Sequence, residues 1–255
     1  MLDILTVREN FPWREIHYLE SVDTTMRVAT ELAAGGCAAG TTVVADEQTA
    51  GIGRHGHEWH SAQDVGLYTS VVLRPTLTPE LLPALTLAVG LATAEAIARA
   101  ADLACDLRWP NDILLDEKKA AGILLQFADG AVIAGIGINV NQASFPPGFD
   151  TLPTSLRIAS GRLQSRESLL CHLLQAVDSF CKMLVEGGRE LTLRQFEKRS
   201  SYVRGKRVIV RLGESLLTGT TAGLTEAGFL MLRKDDGTME TILAGGVRAA
   251  GTGRR

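Results

Sequence analysis

No two of the four cysteines, Cys37, Cys105, Cys171 and Cys181, stand in C-x-x-C spacing, which argues against a zinc knuckle or a dithiol motif. The opening segment, MLDILTVRENFPWRE, has no basic run followed by an apolar one, so it does not read as a secretory signal. No apolar stretch is long enough for a bilayer. The longest lies between Glu80 and Glu95, contains Pro83 and Gly90, and falls short of the ~20 residues a span needs, so it reads as a buried helix. A surplus of positive charge is missing too: 26 lysines and arginines face 29 acids, for a net charge of -3, which gives no support for a general nucleic-acid binder. Repeats and low-complexity tracts are absent, as are the phosphate loop G-x-x-x-x-G-K-[ST] and the nucleophile elbow G-x-S-x-G. The expectation is a cytoplasmic chain with reduced thiols, needing neither a membrane nor a nucleophilic serine.

What is present is a chain of 255 residues, 45% hydrophobic and 22% charged, long enough to bury a full core. Residues 24–34 (TTMRVATELAA) carry a helical pattern with Asp23 as the expected N-cap. The β-branched run 40–48 and the segment 66–75 read as strands, and 79–101 as a long apolar helix. From Asp106 to Asn141, four short strand-like runs are separated by turn signals at Pro110-Asn111, Asp116-Glu117 and Asp129-Gly130, the pattern of an antiparallel meander. Helices follow near 165–186 and 189–199. Beyond a boundary placed near 201, five short runs punctuated by glycine suggest a small barrel. The class is α+β: residues 1–200 with helices on one side of a mixed, largely antiparallel sheet, and 201–255 as a β domain.

The segment 49–61, TAGIGRHGHEWHS, concentrates the chemistry. Gly51, Gly53 and Gly56 match G-x-G-x-x-G, but a dinucleotide turn needs a helix to start inside the motif, and here loop and strand follow. His55, His57 and His60 could ligate a metal, yet Arg54 in their midst would repel it. The remaining functional reading uses the arginine: glycines bring backbone N–H groups close to an anion, Arg54 adds a fixed charged fork, and Trp59 covers an apolar ligand. A solvated surface loop is the plainer alternative. A second constellation is RWPNDILLDEKKAAGILLQ, 108–126. Strand alternation turns one of Lys118 and Lys119 to solvent and the other inward, so Lys119 with Gly122 can line a site. Asp112 is either an oxygen ligand for Mg²⁺ or a turn residue. Asn139, in GIGIN, is either a nucleotide contact or a strand-end cap.

In this order, SVDTTM, EQTAGIGRHGHEW, RWPNDILLDEKKAAGIL and GIGINVN resemble the bacterial biotin–protein ligases, over nearly the whole chain. The resemblance implies a catalytic domain related to class II aminoacyl-tRNA synthetases and lipoate ligases, followed by an SH3-like domain. It implies ATP-dependent activation of biotin as biotinyl-5′-AMP, with Mg²⁺, and transfer to one lysine of a biotin carboxyl carrier protein. With SVDTT so near the start, the form expected is the monofunctional one, without a DNA-binding helix-turn-helix and without a repressor role. By the resemblance, Thr24 and Thr25 meet the biotin ureido ring, and Gln48 also contacts biotin. Gly51, Gly53 and Arg54 fold over biotin and the adenylate phosphate, and Trp59 closes that loop. Lys119 lies between the biotin carboxylate and the α-phosphate, and Gly122 and Gly135 give backbone contacts to biotin. Asp112 is linked to the metal, and His57 and Asn139 lie on the nucleotide side. Ile52, His57, Met26 and Arg108 replace the residues usual in the family, and the loop loses positive charge at 52 and, with a neutral histidine, at 57.

A carboxylate attacking the α-phosphate of ATP is already a nucleophile, so the chemistry asks for cations and positioning, not for a general base. Competing readings are a lipoate or octanoate ligase of the same fold, a silent biotin-binding module, and a metal-dependent hydrolase built on the three histidines. A free sheet edge would let two subunits pair as a homodimer.

Overall fold

The computed structural model describes residues 1–75 and 81–250, apart from the side chains of His55 and Leu82. In chain order the elements are α1 (Ile4–Asn10), β1 (Ile16–Val22), α2 (Thr25–Ala34), β2 (Thr42–Gln48), β3 (Gly66–Leu73), α3 (Leu82–Ala101), β4 (Asp106–Arg108), β5 (Asp112–Leu115), β6 (Lys118–Ala128), β7 (Ala131–Asn139), α4 (Leu156–Ser160) and α5 (Arg166–Lys198). They are followed by β8 (Arg204–Leu212), β9 (Ser215–Leu224), β10 (Leu230–Lys234), β11 (Met239–Ile242) and β12 (Gly246–Ala249). Residues 79 and 80 of the expected long helix lie outside the described residues.

Seven strands form a sheet in the order β1-β2-β3-β7-β6-β5-β4. Only β1 and β2 run parallel; the other neighbours are antiparallel. The meander expected between 106 and 141 is the run β4 to β7. Its tight turns use residues that tolerate the left-handed region: Asp116 and Glu117 at φ 50° and 62°, then Asp129 and Gly130 at 48° and 72°.

Helices cover both faces of this sheet, which corrects the expectation of one covered face. Alternation along the strands produces the two layers. Val43, Val72 and Ile133 pack against Met26, Ala29 and Ala33 of α2. Val44, Val71 and Ala134 turn the other way, into the larger core with α3 and α5. Strands covered on both sides read as unbroken apolar runs, so their sequence does not show the second layer. α3 lies between sheet and α5: a Cβ on Gly90 would stand 3.7 Å from Ile123 and 3.8 Å from Phe196. Leu85, Leu87, Leu91 and Ile97 of α3 are fully buried, each contributing about 1.5–3 kcal/mol.

One local detail also differs. The cap of α2 is Thr24, whose hydroxyl accepts from the Met26 amide, while Asp23 accepts from the Thr24 amide. The helices expected near 165–186 and 189–199 are the two arms of α5, which part at Gly188 (φ 73°, ψ 169°), a geometry open to glycine.

Strands β8 to β12 form a second, antiparallel sheet in the order β11-β10-β9-β8-β12. It is held to the larger sheet's layer by specific bonds: the indole Nε1 of Trp109 donates to Gly228 O at 2.9 Å, and the Leu224 amide donates to Glu197 Oε1 at 3.1 Å.

Candidate functional site

The chain reverses at the C-terminal end of β2 and the N-terminal end of α2, and the first polar cluster forms there. Gln48 Oε1 accepts from the amide and hydroxyl of Thr25 at 2.9 and 3.1 Å, and Gln48 Nε2 donates to Ser61 Oγ at 2.9 Å. The Thr25 hydroxyl also meets Ser70 Oγ at 2.8 Å. The cluster therefore fixes both ends of the 49–61 loop. The loop closes over itself through Trp59 N to Gly51 O, 2.9 Å, and Gly53 N to His57 O, 2.7 Å. Gly51 is required by space: a Cβ there would lie 2.5 Å from the Trp59 carbonyl and 2.7 Å from Ser61 Oγ. A single 3-10 turn, Arg54–Gly56, carries the arginine.

The second cluster comes from β5 and β6. Asp112 sits between two cations, Arg108 Nη2 at 2.6 Å and Lys119 Nζ at 2.7 Å. Burial raises its carboxyl pKa and is the largest single influence, but Lys119 and Arg108 together outweigh it and hold the group below 3.8. The stability this group adds is thus present above pH 3.8 and is lost as pH falls through the lower folded value. The Lys119 ammonium also stands 5.3 Å from the centroid of Trp59. Lys118 is exposed, as strand alternation requires.

Arg54 reaches over this cluster, donating weakly to Asn111 Oδ1 at 3.2 Å and to Gly245 O of the C-terminal sheet at 3.4 Å. Burial lowers its pKa, with Asp112 opposing, yet a guanidinium stays charged at any working pH.

Two cavities meet at these residues. One, about 50 Å³, is lined by Thr24, Thr25, Gln48, Gly122 and Gly135, among others. The other, about 1030 Å³, runs past His57, Asp112 and Asn139 to Arg211 and Arg248 of the C-terminal sheet. Gly53, Arg54, Trp59, Asn111 and Lys119 line both. Most of the residues singled out in the sequence therefore converge.

Some take roles the sequence did not suggest. Asn139 donates to the backbone carbonyls of Thr154 (3.0 Å) and Lys119 (3.4 Å), so its amide ties the 152–154 segment to β6. Gly135 faces Met26, whose Sδ would lie 2.4 Å from an added Cβ. The donor set does not suit a resident metal at Asp112, since both carboxylate oxygens already face cations. Among the described residues no three His, Cys, Asp or Glu side chains cluster as a metal site; the His55 side chain, one of the three in the hydrolase reading, lies outside them. Met26, Ile52, Tyr68, Asn111 and Gly137 line the small pocket and were not expected there, though Asn111 and Gly137 stand inside the two motifs that pointed to it.

The chain matches the profile of the biotin/lipoate A/B protein ligase family over residues 18–142 and that of the biotin protein ligase C-terminal domain over 204–247. It is 34% identical over 227 residues to the bifunctional ligase/repressor BirA of Bacillus subtilis, covering 86% of this chain and 70% of that one. It is 32% identical to the biotin–[acetyl-CoA-carboxylase] ligase of Paracoccus denitrificans, covering 84% of this chain and 92% of the relative. The structure resembles the biotin protein ligase from Aquifex aeolicus in complex with biotin and ATP, with a TM-score of 0.83, 32% identity, and coverage of 92% of this chain and 99% of that one.

Proposed function

The chain belongs to the biotin protein ligases, and on that premise we propose that Lys119 and Arg54 are the cations that join biotin to ATP in its active site. The protein is an ATP-dependent biotin ligase, with biotin and ATP as substrates. The observation that carries the residue assignment is the position of Lys119 in the wall shared by the two cavities. An acid in the small pocket and a triphosphate in the large one meet at its ammonium.

In the first step a biotin carboxylate oxygen bonds to the α-phosphorus and the bond to pyrophosphate breaks. Both partners are anions, and Lys119 and Arg54 offset their repulsion where they meet. Thr24, Thr25 and Gln48 offer donors and acceptors to the ureido end, Gly53, Gly122 and Gly135 offer backbone along the pocket wall, and Gly51 lets the loop fold back on Trp59. His57 and Asn139 border the nucleotide side. Mg²⁺ has no cradle at Asp112 as that residue stands, and no step here is assigned to it. In the second step the amine of an acceptor lysine attacks the acyl carbon, an amide forms, and AMP leaves. The acceptor class is the carboxyl carrier domain of a biotin-dependent carboxylase, which matches the carboxylase named for the Paracoccus denitrificans relative. The setting proposed is the cytoplasm, and the edge strand β1 is where a second copy would pair, since the outer edge of β4 is bonded to Arg199 and Ser200.

The test is biotin-dependent ATP–pyrophosphate exchange beside lipoate and octanoate. Exchange with biotin alone is expected; exchange with lipoate alone would overturn the substrate. Arg54→Ala is expected to raise the release of free biotinyl-AMP relative to acceptor labelling, since the loop then closes without its cation. Unchanged release would remove Arg54 from the adenylate site.

A further inference from the structure

We propose that Gly137 is a positioning residue for the reaction, holding Lys119 through the indole of Trp59; the proposal deepens the adenylation reading above and rests on it. Gly122 and Gly137 stand directly opposite each other on β6 and β7. The pair leaves a strip of bare backbone on one face of the sheet, and Trp59 lies in it. A Cβ on Gly137 would stand 2.5 Å from both Cε2 and Nε1 of Trp59 and 2.9 Å from Cζ2. A Cβ on Gly122 would stand 3.0 Å from Cζ3, and 3.2 and 3.3 Å from Cε and Nζ of Lys119.

Neither glycine is among those with positive φ, so backbone conformation does not demand glycine at either position. Glycine inside a strand costs roughly 0.5–1 kcal/mol relative to alanine, and its usual structural reason is close approach of another group. Here that group is the indole. Its Nε1 is buried with no hydrogen-bond partner, so packing, not a polar bond, sets the ring position. The ring then restrains Lys119 Nζ at 5.3 Å from its centroid, beside the pair with Asp112 Oδ1 at 2.7 Å. A methyl group on Gly137 pushes the ring from its slot, and the ammonium loses one of its two restraints. The small pocket has only about 50 Å³ free between these walls, so a displaced ring moves toward the larger cavity that Trp59 also lines, away from its seat beside Lys119.

The full-length chain labelled with 5-fluorotryptophan gives one ¹⁹F resonance for each of Trp13, Trp59 and Trp109, and Trp59→Phe identifies the middle one. Gly137→Ala is expected to shift the Trp59 resonance while leaving those of Trp13 and Trp109 in place. It is also expected to lower kcat for biotin-dependent pyrophosphate exchange by up to about a hundredfold, the scale of a misplacement near 1 Å. In a Trp59→Ala background the same substitution should cost nothing further. An equal cost in both backgrounds, or an unmoved Trp59 resonance, overturns the proposal. If Gly137→Ala does not fold, the Trp59→Ala/Gly137→Ala double variant decides: it folds if the indole is the obstacle, and its failure to fold overturns the seat. A parent chain without exchange activity overturns the adenylation reading and this proposal together; an active parent with additive single effects overturns this proposal alone.

Discussion

Lys119→Met is expected to lower kcat for biotin-dependent pyrophosphate exchange by about 10²–10³-fold, the cost of removing one preorganised group aimed at developing charge. Methionine keeps the length of the stem and removes only the charge. The loss falls on the chemical step because the ammonium stands in the wall shared by the small pocket and the large cavity, where the proposed reaction brings carboxylate and phosphate together. Folding should be affected much less. Asp112 keeps its pair with Arg108 at 2.6 Å, so no buried carboxylate is stranded without a counterion. Lys119→Arg is not a rescue: a rigid planar fork cannot take the place of a compact point charge seated 2.7 Å from Asp112 and 5.3 Å from the Trp59 centroid. Lys118→Met, one residue away and exposed, serves as the control and should leave exchange unchanged. Exchange rates, biotin KM and thermal melts separate the outcomes. Near-parental kcat in Lys119→Met would shift the charge role to Arg54 alone.

Much of this site was legible because its motifs are local. The 49–61 loop and the 108–126 segment each carry their own glycines, cations and turns, and strand alternation alone separates Lys118 from Lys119. What the sequence hides is contact across the sheet. Gly137 faces Trp59 only because β6 and β7 pair with Gly122 opposite Gly137, and register is a property of the assembled sheet. Met26 reaches Gly135 from a helix on the far side of the chain, and a helix on the second face left no trace in strands already apolar throughout. Asn139 reads either as a nucleotide contact or as a strand-end cap in the motif, and its bonds to the carbonyl groups of Lys119 and Thr154 come from segments the motif does not contain. Arg108, where the family usually has lysine, keeps the pair to Asp112 and adds a bond to Thr151 Oγ1 at 3.0 Å, so that departure conserves the charge.

The largest effect on stability is expected at Asp46, a residue with no place in any motif. Its side chain is 2% exposed, and Oδ1 accepts from Arg166 Nη1 at 2.8 Å. Oδ2 accepts from the Tyr18 hydroxyl at 2.5 Å and from the Leu2 amide at 3.2 Å. The Tyr18 hydroxyl has its pKa raised, first by burial and then by its bond to Asp46, so it remains the donor. Arg166, 7% exposed, has Asp64 as its other acid at 3.4 Å. Asp46→Ala therefore leaves a buried guanidinium with one distant, half-exposed acid and the Gly66 carbonyl at 3.3 Å, and about 3–5 kcal/mol of stability should go with it. For a chain of this size that is a fall in melting temperature of roughly 10 °C. The double variant Asp46→Leu/Arg166→Met should recover most of the loss, because it removes both charges together. The consequence reaches the site through the backbone. Asp46 is on β2 two residues before Gln48, and its carbonyl accepts from the Asp64 amide at 3.2 Å, beyond the far end of the glycine loop. The ion pair thus clamps the two strands from which that loop springs. Asp46→Ala should raise the biotin KM more than it lowers kcat, since Gln48 and Thr25 lose their footing while Lys119, on β6, keeps its own. A variant that melts early yet binds biotin with parental affinity would confine the clamp to folding.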